Sequence, residues 1–279
     1  MSSKAPTVSV ILPTYNRGWI VEQAIDSVLG QDFKDFELIV VDDGSTDDTG
    51  QILEAYGEDL TVIRQSNRGV SAARNRGISA AVGRLVAFLD SDDLWLPGKL
   101  TRQVEFFEAH PAAVINQTEE IWIRDGVRVN PRTRHHKSSG MIFKRSLALC
   151  LVSPSAVMIR RSLFDDVGLF DENLPACEDY DLWLRISWRH PVHLIETPLI
   201  VKRGGHGDQL SKAPGLDKFR IQALKKMIES GHLEADFHRA AVRTLQEKCA
   251  VFAGGCRKRG KDAEAQYYEE LAKRMGRSG

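Results

Sequence analysis

A chain of 279 residues, 42% hydrophobic and 27% charged, suffices for one large domain with a smaller appendage, and its composition excludes wholesale disorder. Its 38 Lys and Arg balance 38 Asp and Glu, so the net charge is zero, which argues against a dedicated nucleic-acid binder. The balance is uneven: residues 217–279 carry 14 basic and 9 acidic side chains, leaving an acidic front and a basic tail.

The first apolar run, VSVIL at 8–12, is too short for a signal-peptide core and stops at Pro13. No apolar stretch approaches the length of a spanning helix. Cys150, Cys177, Cys249 and Cys256 have no CxxC spacing and read as reduced thiols, so a cytoplasmic chain is expected. VSVIL reads as a buried strand. Residues 20–29 place Ile20, Val21, Ala24, Ile25, Val28 and Leu29 at helical spacing. ELIVV at 37–41 is a second strand closed by the turn chemistry of Asp42-Asp43-Gly44-Ser45. A helix follows over 48–56, capped by Ser45 or Asp47, then a strand at 61–65 and an Ala-rich helix at 70–82. LVAFL at 85–89 is the fourth strand, and Pro97 opens a helix running to about 108.

This alternation predicts a mostly parallel sheet flanked by helices, with ligands beyond the carboxyl ends of the strands. Further on, 114–124, 155–160 and 192–201 read as strands and 178–189 as a helix. The stretch 124–140, with Arg124, Arg128, Arg132, Arg134 and Lys137, reads as a polar loop or loose hairpin. Beyond Gly215 the pattern is helical. One stripe includes Phe237, Ala241, Leu245 and Phe252, another Tyr267, Leu271 and Met275, and Gly254-Gly255 and Gly260 separate them into a hairpin.

Three polar clusters follow strands and should share one sheet edge: Thr14-Tyr15-Asn16-Arg17, Asp42-Asp43 and Asp90-Ser91-Asp92-Asp93. Pro97 at the first helical position would put the cap at Leu96, so capping explains the last cluster poorly. Crowded carboxylates repel unless protonated or neutralised by a cation. All-oxygen donors suit Mg2+ or Mn2+, which keep waters and take substrate phosphates. Asp42-Asp43 alone reads equally as a plain Asp-Gly turn, and Arg74 as a surface helix residue. As ligands, Asp42 or Asp43 accepts from a base or ribose hydroxyl, Tyr15 packs on a nucleobase, Arg17 pairs with phosphate, and Arg74 and Asn75 add donors.

VSVILPTYNR, FELIVVDDGSTDDT, NRGVSAARNRGI and FLDSDD, in this order and spacing, resemble family 2 of the nucleotide-sugar glycosyltransferases, with the GT-A fold. The resemblance is dense over 7–110, continues at CEDYDLWLR (177–185), and fades in 124–140 and after 215. It implies a GT-A domain over 1–215, with a nucleotide-binding half (1–110) and an acceptor-binding half (111–215), and a helical extension over 216–279. It implies that Pro13, Thr14 and Tyr15 line the base pocket, that Asp43 binds the base, usually uracil, and that Arg74 assists. Asp90-Ser91-Asp92 would be the DXD motif, with Asp92 the direct ligand of Mn2+ or Mg2+ and Asp90 near the ribose or metal. Asp179 would be the catalytic base, with Glu178 beside it shaping the acceptor site, and His206 would lie near metal or diphosphate. The Gln-x-x-Arg-Trp motif of processive members is absent, which implies single additions.

The expected activity is therefore transfer of one sugar from a nucleotide-sugar donor, a UDP-sugar by resemblance, to a carbohydrate or lipid-linked acceptor in polysaccharide or glycan biosynthesis. A catalytically silent nucleotide-sugar-binding scaffold is the alternative. Glu178-Asp179 also reads as an acidic first helical turn, although Asp181 could serve that purpose. The tail segment Arg257-Lys258-Arg259-Gly260-Lys261 reads as a solvated turn, or as a weak contact with anionic lipid at the inner membrane face. The tail helices also offer a homodimer contact.

Overall fold

The apolar runs fold into the alternation that their spacing predicts. A computed structural model describes residues 5–205, 207 and 215–277. The first half comprises β1 (Val8–Thr14), α1 (Val21–Leu29), β2 (Phe36–Asp42), α2 (Thr49–Glu54), β3 (Thr61–Arg64), α3 (Val70–Ala80), β4 (Leu85–Phe88), the short β5 (Leu94–Trp95) and α4 (Lys99–Ala109). Then come β6 (Ile115–Arg124), β7 (Val127–Val129), α5 (Phe143–Ala148), β8 (Val157–Arg160), α6 (Leu163–Val167), α7 (Glu178–Ser187) and β9 (His193–Gly204). The chain ends in α8 (Leu216–Glu229), α9 (Ala235–Lys258) and α10 (Asp262–Arg277).

The strands form one sheet in the order β3-β2-β1-β4-β8-β6-β9-β5, with β7 paired to β6. The first four are mutually parallel. The second half is mixed: β8 is antiparallel to β4 and β6, whereas β9 is parallel to β6. β1 pairs with β2 as far as Thr14↔Asp42, but with β4 only as far as Ile11↔Phe88. The Ile11 carbonyl accepts from Leu89 N and the Thr14 carbonyl from Asp43 N, so odd positions of β1 face β4. Pro13 therefore turns its missing N–H towards the side where pairing has ended, and costs no ladder bond. The parting of β1 and β4 opens a crevice where the strand order reverses, the usual ligand position in open α/β sheets.

Side-chain alternation sorts two cores. Val8, Val10 and Leu12 pack with α1 and α4 on one face; Ile11, Val86 and Phe88 meet α3, α6 and α7 on the other. Gly77 lets α3 lie close on β1, since a Cβ there would stand 2.4 Å from Ile11 Cγ2. A third cluster joins α5 and α7 to the tail helices through Phe143, Tyr180, Leu184, Leu224 and Leu245.

Two expectations need correction. Pro97 does not open α4: Gly98, at φ 83°, takes the cap position and the helix starts at Lys99. Gly254-Gly255 does not separate the tail helices. α9 runs through the pair, because Phe252, Ala253 and Cys256 are buried there and outweigh a glycine cost of about 1 kcal/mol each; the break comes at Gly260. The helical pattern read beyond Gly215 is present as three helices, with α8 ahead of the hairpin of α9 and α10.

Lys99 is wholly buried, 3.9 Å above the Trp95 ring, and donates to Gln103 Oε1 at 2.5 Å. No described carboxylate pairs with it. Burial, and then the charge of Lys137, push its pKa well below the ordinary 10.5. The unfolded chain takes up a proton at this amine below 10.5 and the folded chain only at lower pH, so this group lowers stability as pH falls through that value. Lys99→Met removes that dependence. Urea unfolding at several pH values should show the wild type gaining on the variant by about 1.4 kcal/mol per pH unit in the alkaline part of this window, whatever constant offset Gln103 Oε1 adds. Parallel stability curves would refute the assignment.

Candidate active site

The turns after β1 and β2 are knitted together. Asn16, at φ 50°, donates its backbone N–H to Ser45 Oγ and accepts from Thr46 N through Oδ1. Arg17 N donates to Thr49 Oγ1 and Gly18 N to Asp47 Oδ2. The expected cap at Ser45 or Asp47 is not formed: Asp48 takes the cap position of α2 without a side-chain cap bond, and Asp47, one residue earlier, accepts from Thr49 N in an Asx turn. Pro13 and Thr14 are buried at the crevice, Tyr15 is 44% exposed at its mouth, and the Thr14 hydroxyl is buried without a hydrogen-bond partner.

The two aspartates after β2 divide their work. Asp42 closes its own turn by accepting from Ser45 N. Asp43 Oδ1 accepts from Gln65 Nε2 at 2.7 Å and from Arg68 N at 3.0 Å, and Oδ2 accepts from Gly69 N at 2.8 Å. Asp43 thus anchors the loop leading into α3. A carboxylate offers about four acceptor positions, so one on Oδ2 remains for a base N–H.

The acidic cluster after β4 also splits. Asp93 is buried: Oδ2 accepts from Ser155 Oγ at 2.6 Å and Oδ1 from Arg203 N at 2.9 Å. Burial, and then the charge of Asp92, push its carboxyl well above the usual range. Ser155 Oγ also accepts from Asp90 N, so one hydroxyl fixes both ends of the turn. Asp93 is a brace, which leaves Asp90 and Asp92, both half-buried, at the rim, with Ser91 buried between them.

Arg74 joins this rim to α7. Its Nη2 donates to Asp90 Oδ1 at 2.7 Å and its Nη1 to Glu178 Oε1 at 2.6 Å, over the Phe170 ring at 5.2 Å. Burial alone would favour a neutral guanidine, but Asp90 and Glu178 outweigh it and raise the Arg74 pKa. Burial and Asp179 raise the Glu178 carboxyl against the pull of Arg74. Arg74 is no surface residue, and Asn75 braces the Phe170 backbone through its N–H and carbonyl. Asp179 is half-buried next to this fork, with Oδ1 accepting from Tyr180 N and Oδ2 3.6 Å from the Cys150 thiol. Asp181 is wholly buried and held by Arg185 and Lys226, tying α7 to α8.

Lys202, on β9, is the residue that the sequence reading misses. Its ammonium donates to Ser153 Oγ at 3.2 Å. Burial opposes its charge, but Glu120, Asp93, Asp90 and Asp179 outweigh this and hold it protonated. The strand read over 192–201 stops one residue short of it; a basic pair ending a strand beside Gly204-Gly205 was the available signal. His206 lies outside the described residues.

Asp90 and Asp92 present hard oxygen donors, and no cluster of three or more His, Cys, Asp or Glu among the described residues could cage an ion. Two carboxylates fit a dication that keeps waters and takes phosphate oxygens, and the unsatisfied Thr14 hydroxyl fits a polar ligand in the same crevice.

Replacing Arg74 leaves two carboxylates with no forked donor. Arg74→Met should destabilise the fold by about 3–5 kcal/mol in urea unfolding, and adding Glu178→Gln should restore part of the loss. A loss below about 1 kcal/mol would show that the fork contributes little.

Comparison with known proteins gives the family and the fold. The family described as Glycosyl transferase family 2 matches residues 9–168. A Rickettsia felis protein named as an uncharacterized glycosyltransferase is 31% identical over 218 residues, 74% of this chain and 35% of that one. The Escherichia coli UDP-Glc:alpha-D-GlcNAc-diphosphoundecaprenol beta-1,3-glucosyltransferase WfaP is 31% identical over 64% of this chain and 69% of its own. The chain thus spans about a third of the Rickettsia relative. Among solved structures, S. aureus TarS 1–349 in complex with UDP-GlcNAc superposes with a TM-score of 0.72 at 23% identity, over 95% of this chain and 79% of that one. The mannosyltransferase PcManGT of Pyrobaculum calidifontis, in complex with GDP-Man and Mn2+, gives 0.63 at 20% identity, over 97% and 76%. These likenesses show the GT-A fold, and the family match over more than half of its length places the chain in glycosyl transferase family 2.

Proposed function

We propose that the chain transfers one sugar from a nucleoside diphosphate donor, a UDP-sugar, to an acceptor hydroxyl, with inversion, in polysaccharide or glycan biosynthesis. The observation that carries this reading is the Arg74 fork, which holds Glu178-Asp179 against the Asp90–Asp92 rim. Asp179 is the base. Glu178 is engaged by Arg74 and serves to place its neighbour.

The chemistry follows from these residues. The acceptor oxygen attacks the anomeric carbon while the bond from that carbon to the β-phosphate oxygen breaks. The electron pair leaves with the diphosphate, and the acceptor proton passes to Asp179. Asp92, with Asp90, would hold a Mn2+ or Mg2+ ion, which when bound supplies Lewis-acid stabilisation of the departing diphosphate. Tyr15 packs on the base, Thr14 and Asp43 offer it polar contacts, and Arg17 meets phosphate. The UDP and UDP-sugar ligands named for TarS and WfaP support a uridine donor, and the Mn2+ named for PcManGT supports the ion.

Asp179→Asn should lower transfer by about 10²–10⁴-fold while calorimetry shows UDP affinity within about twofold. Unchanged turnover would remove Asp179 from the base role. No turnover in the wild type, with UDP bound tightly, would favour the silent scaffold. Asp92→Asn should weaken UDP binding only when Mn2+ is present. The anomeric coupling in the product NMR spectrum should report inversion; retention would contradict a single-displacement path.

A further inference from the structure

Lys202 connects the rim to a second feature. After two register shifts around Glu119, β6 and β9 pair residue for residue from Glu120↔Ile200, with Trp122 opposite Lys202 and Arg124 opposite Gly204. The Lys202 ammonium lies 6.0 Å from the Trp122 ring, the Arg124 guanidinium 5.6 Å from it, and His135 meets it edge-on at 5.4 Å. Arg134 Nε donates to His135 Nε2 at 3.3 Å. Burial, and then Arg134, Arg132, Arg124 and Lys202, push the His135 pKa down, which places four cations around one half-buried ring.

Lys202 lies in the field of Glu120, Asp93 and Asp90, and Trp122 Nε1 donates to Glu120 Oε1 at 2.8 Å, but the arginine charge is unmatched. Among the described residues, no carboxylate forms an ion pair with Arg124, Arg128, Arg132 or Arg134, whereas the neighbouring Lys137 meets Glu120 at 2.9 Å. Several arginines elsewhere on the surface have partners, such as Arg64 with Glu54, Arg68 with Glu172 and Arg189 with Asp166. In the basic tail Arg257 clamps Glu269 and Lys261 faces Glu264, so that cluster is matched in part. In a chain of zero net charge, an uncompensated arginine cluster next to the rim carries a repulsive cost that an anion would relieve. Guanidinium groups favour forked contacts to phosphate.

We propose that Trp122, Arg124, Arg132, Arg134 and Lys202 form a subsite for a phosphate group carried by the acceptor, beside the hydroxyl that Asp179 would deprotonate; this rests on the transferase reading above. Lys202 is its inner end, shared with Asp90 and Asp179, and the arginines are its outer wall. A lipid-linked diphosphate and a soluble phosphorylated glycan would present the same group.

The test compares the wild type with Arg124→Gln/Arg132→Gln/Arg134→Gln, all exposed positions, after thermal melting confirms that the variant folds. With UDP saturating the nucleotide pocket, binding of inorganic pyrophosphate and of farnesyl diphosphate is measured by calorimetry. The wild type should bind at least one of them, the variant about tenfold or more weakly, and the difference should shrink at about 0.5 M salt. Binding of farnesyl diphosphate alone supports a lipid-borne group; comparable binding of pyrophosphate supports a soluble one. No binding by the wild type, or equal binding by the variant, overturns the subsite. So does binding to phosphatidylglycerol vesicles that needs these arginines and resists competition by both probes, which would assign the patch to a membrane surface. Wild-type UDP affinity, measured first, reports separately on the nucleotide reading.

Discussion

One buried guanidinium holds the candidate site together. Asp90 follows a strand of the first half and Glu178 begins a helix far along the chain, and Arg74 reaches both from α3. A planar fork can serve two carboxylates in fixed directions; an ammonium would be a point charge between them. Burying acids is costly without such a partner, so the fork constrains where α7 can start. Lys202 repeats the device from β9, with Asp90, Asp93, Asp179 and Glu120 in its field. The acidic front of the sequence therefore folds around two interior cations, Arg74 from a helix of the first half and Lys202 from a strand of the second.

The parts of this plan that were legible in the sequence are those with a period or a repeated chemistry. Runs such as VSVIL and ELIVV are long enough to declare buried strands, and the polar clusters that follow them, Thr14–Arg17 and Asp42-Asp43, mark the edge. The residues that were not legible have no period to betray them. β5 spans two residues, and α5 and α6 are too short to complete a stripe. In Asp90-Ser91-Asp92-Asp93 the sequence shows three equivalent carboxylates. Only the position of Ser155, brought in by the turn before β8, decides that Asp93 points inward. Likewise Asp43 is committed to the amides of Arg68 and Gly69, a contact between a strand end and a loop that spacing cannot reveal. The glycine pair in α9 misled because local propensity was weighed without the burial of its neighbours.

α7 shows why the C-terminal helices matter to the chemistry at the rim. Leu182, Trp183 and Ile186 face the sheet, while Tyr180 and Leu184 face the tail cluster. Tyr180 Oη donates to the Leu147 carbonyl at 2.6 Å, and Asp181 draws in Lys226 of α8. The helix is thus gripped from both sides immediately after Asp179. Its first step is strained: Cys177 sits at φ 62°, a left-handed conformation that a cysteine adopts at a cost of about 1–3 kcal/mol. Full burial of side chains such as Leu182, Leu184 and Ile186 contributes about 1.5–3 kcal/mol each, which outweighs that strain several times over. A base must keep its carboxylate within a fraction of an ångström of a transferring proton. A helix clamped on two faces, started by a strained residue and pinned by a buried fork leaves Glu178-Asp179 little freedom to drift. The tail is therefore part of what positions the chemistry: Leu216 of α8 accepts from the Cys177 thiol immediately before Glu178.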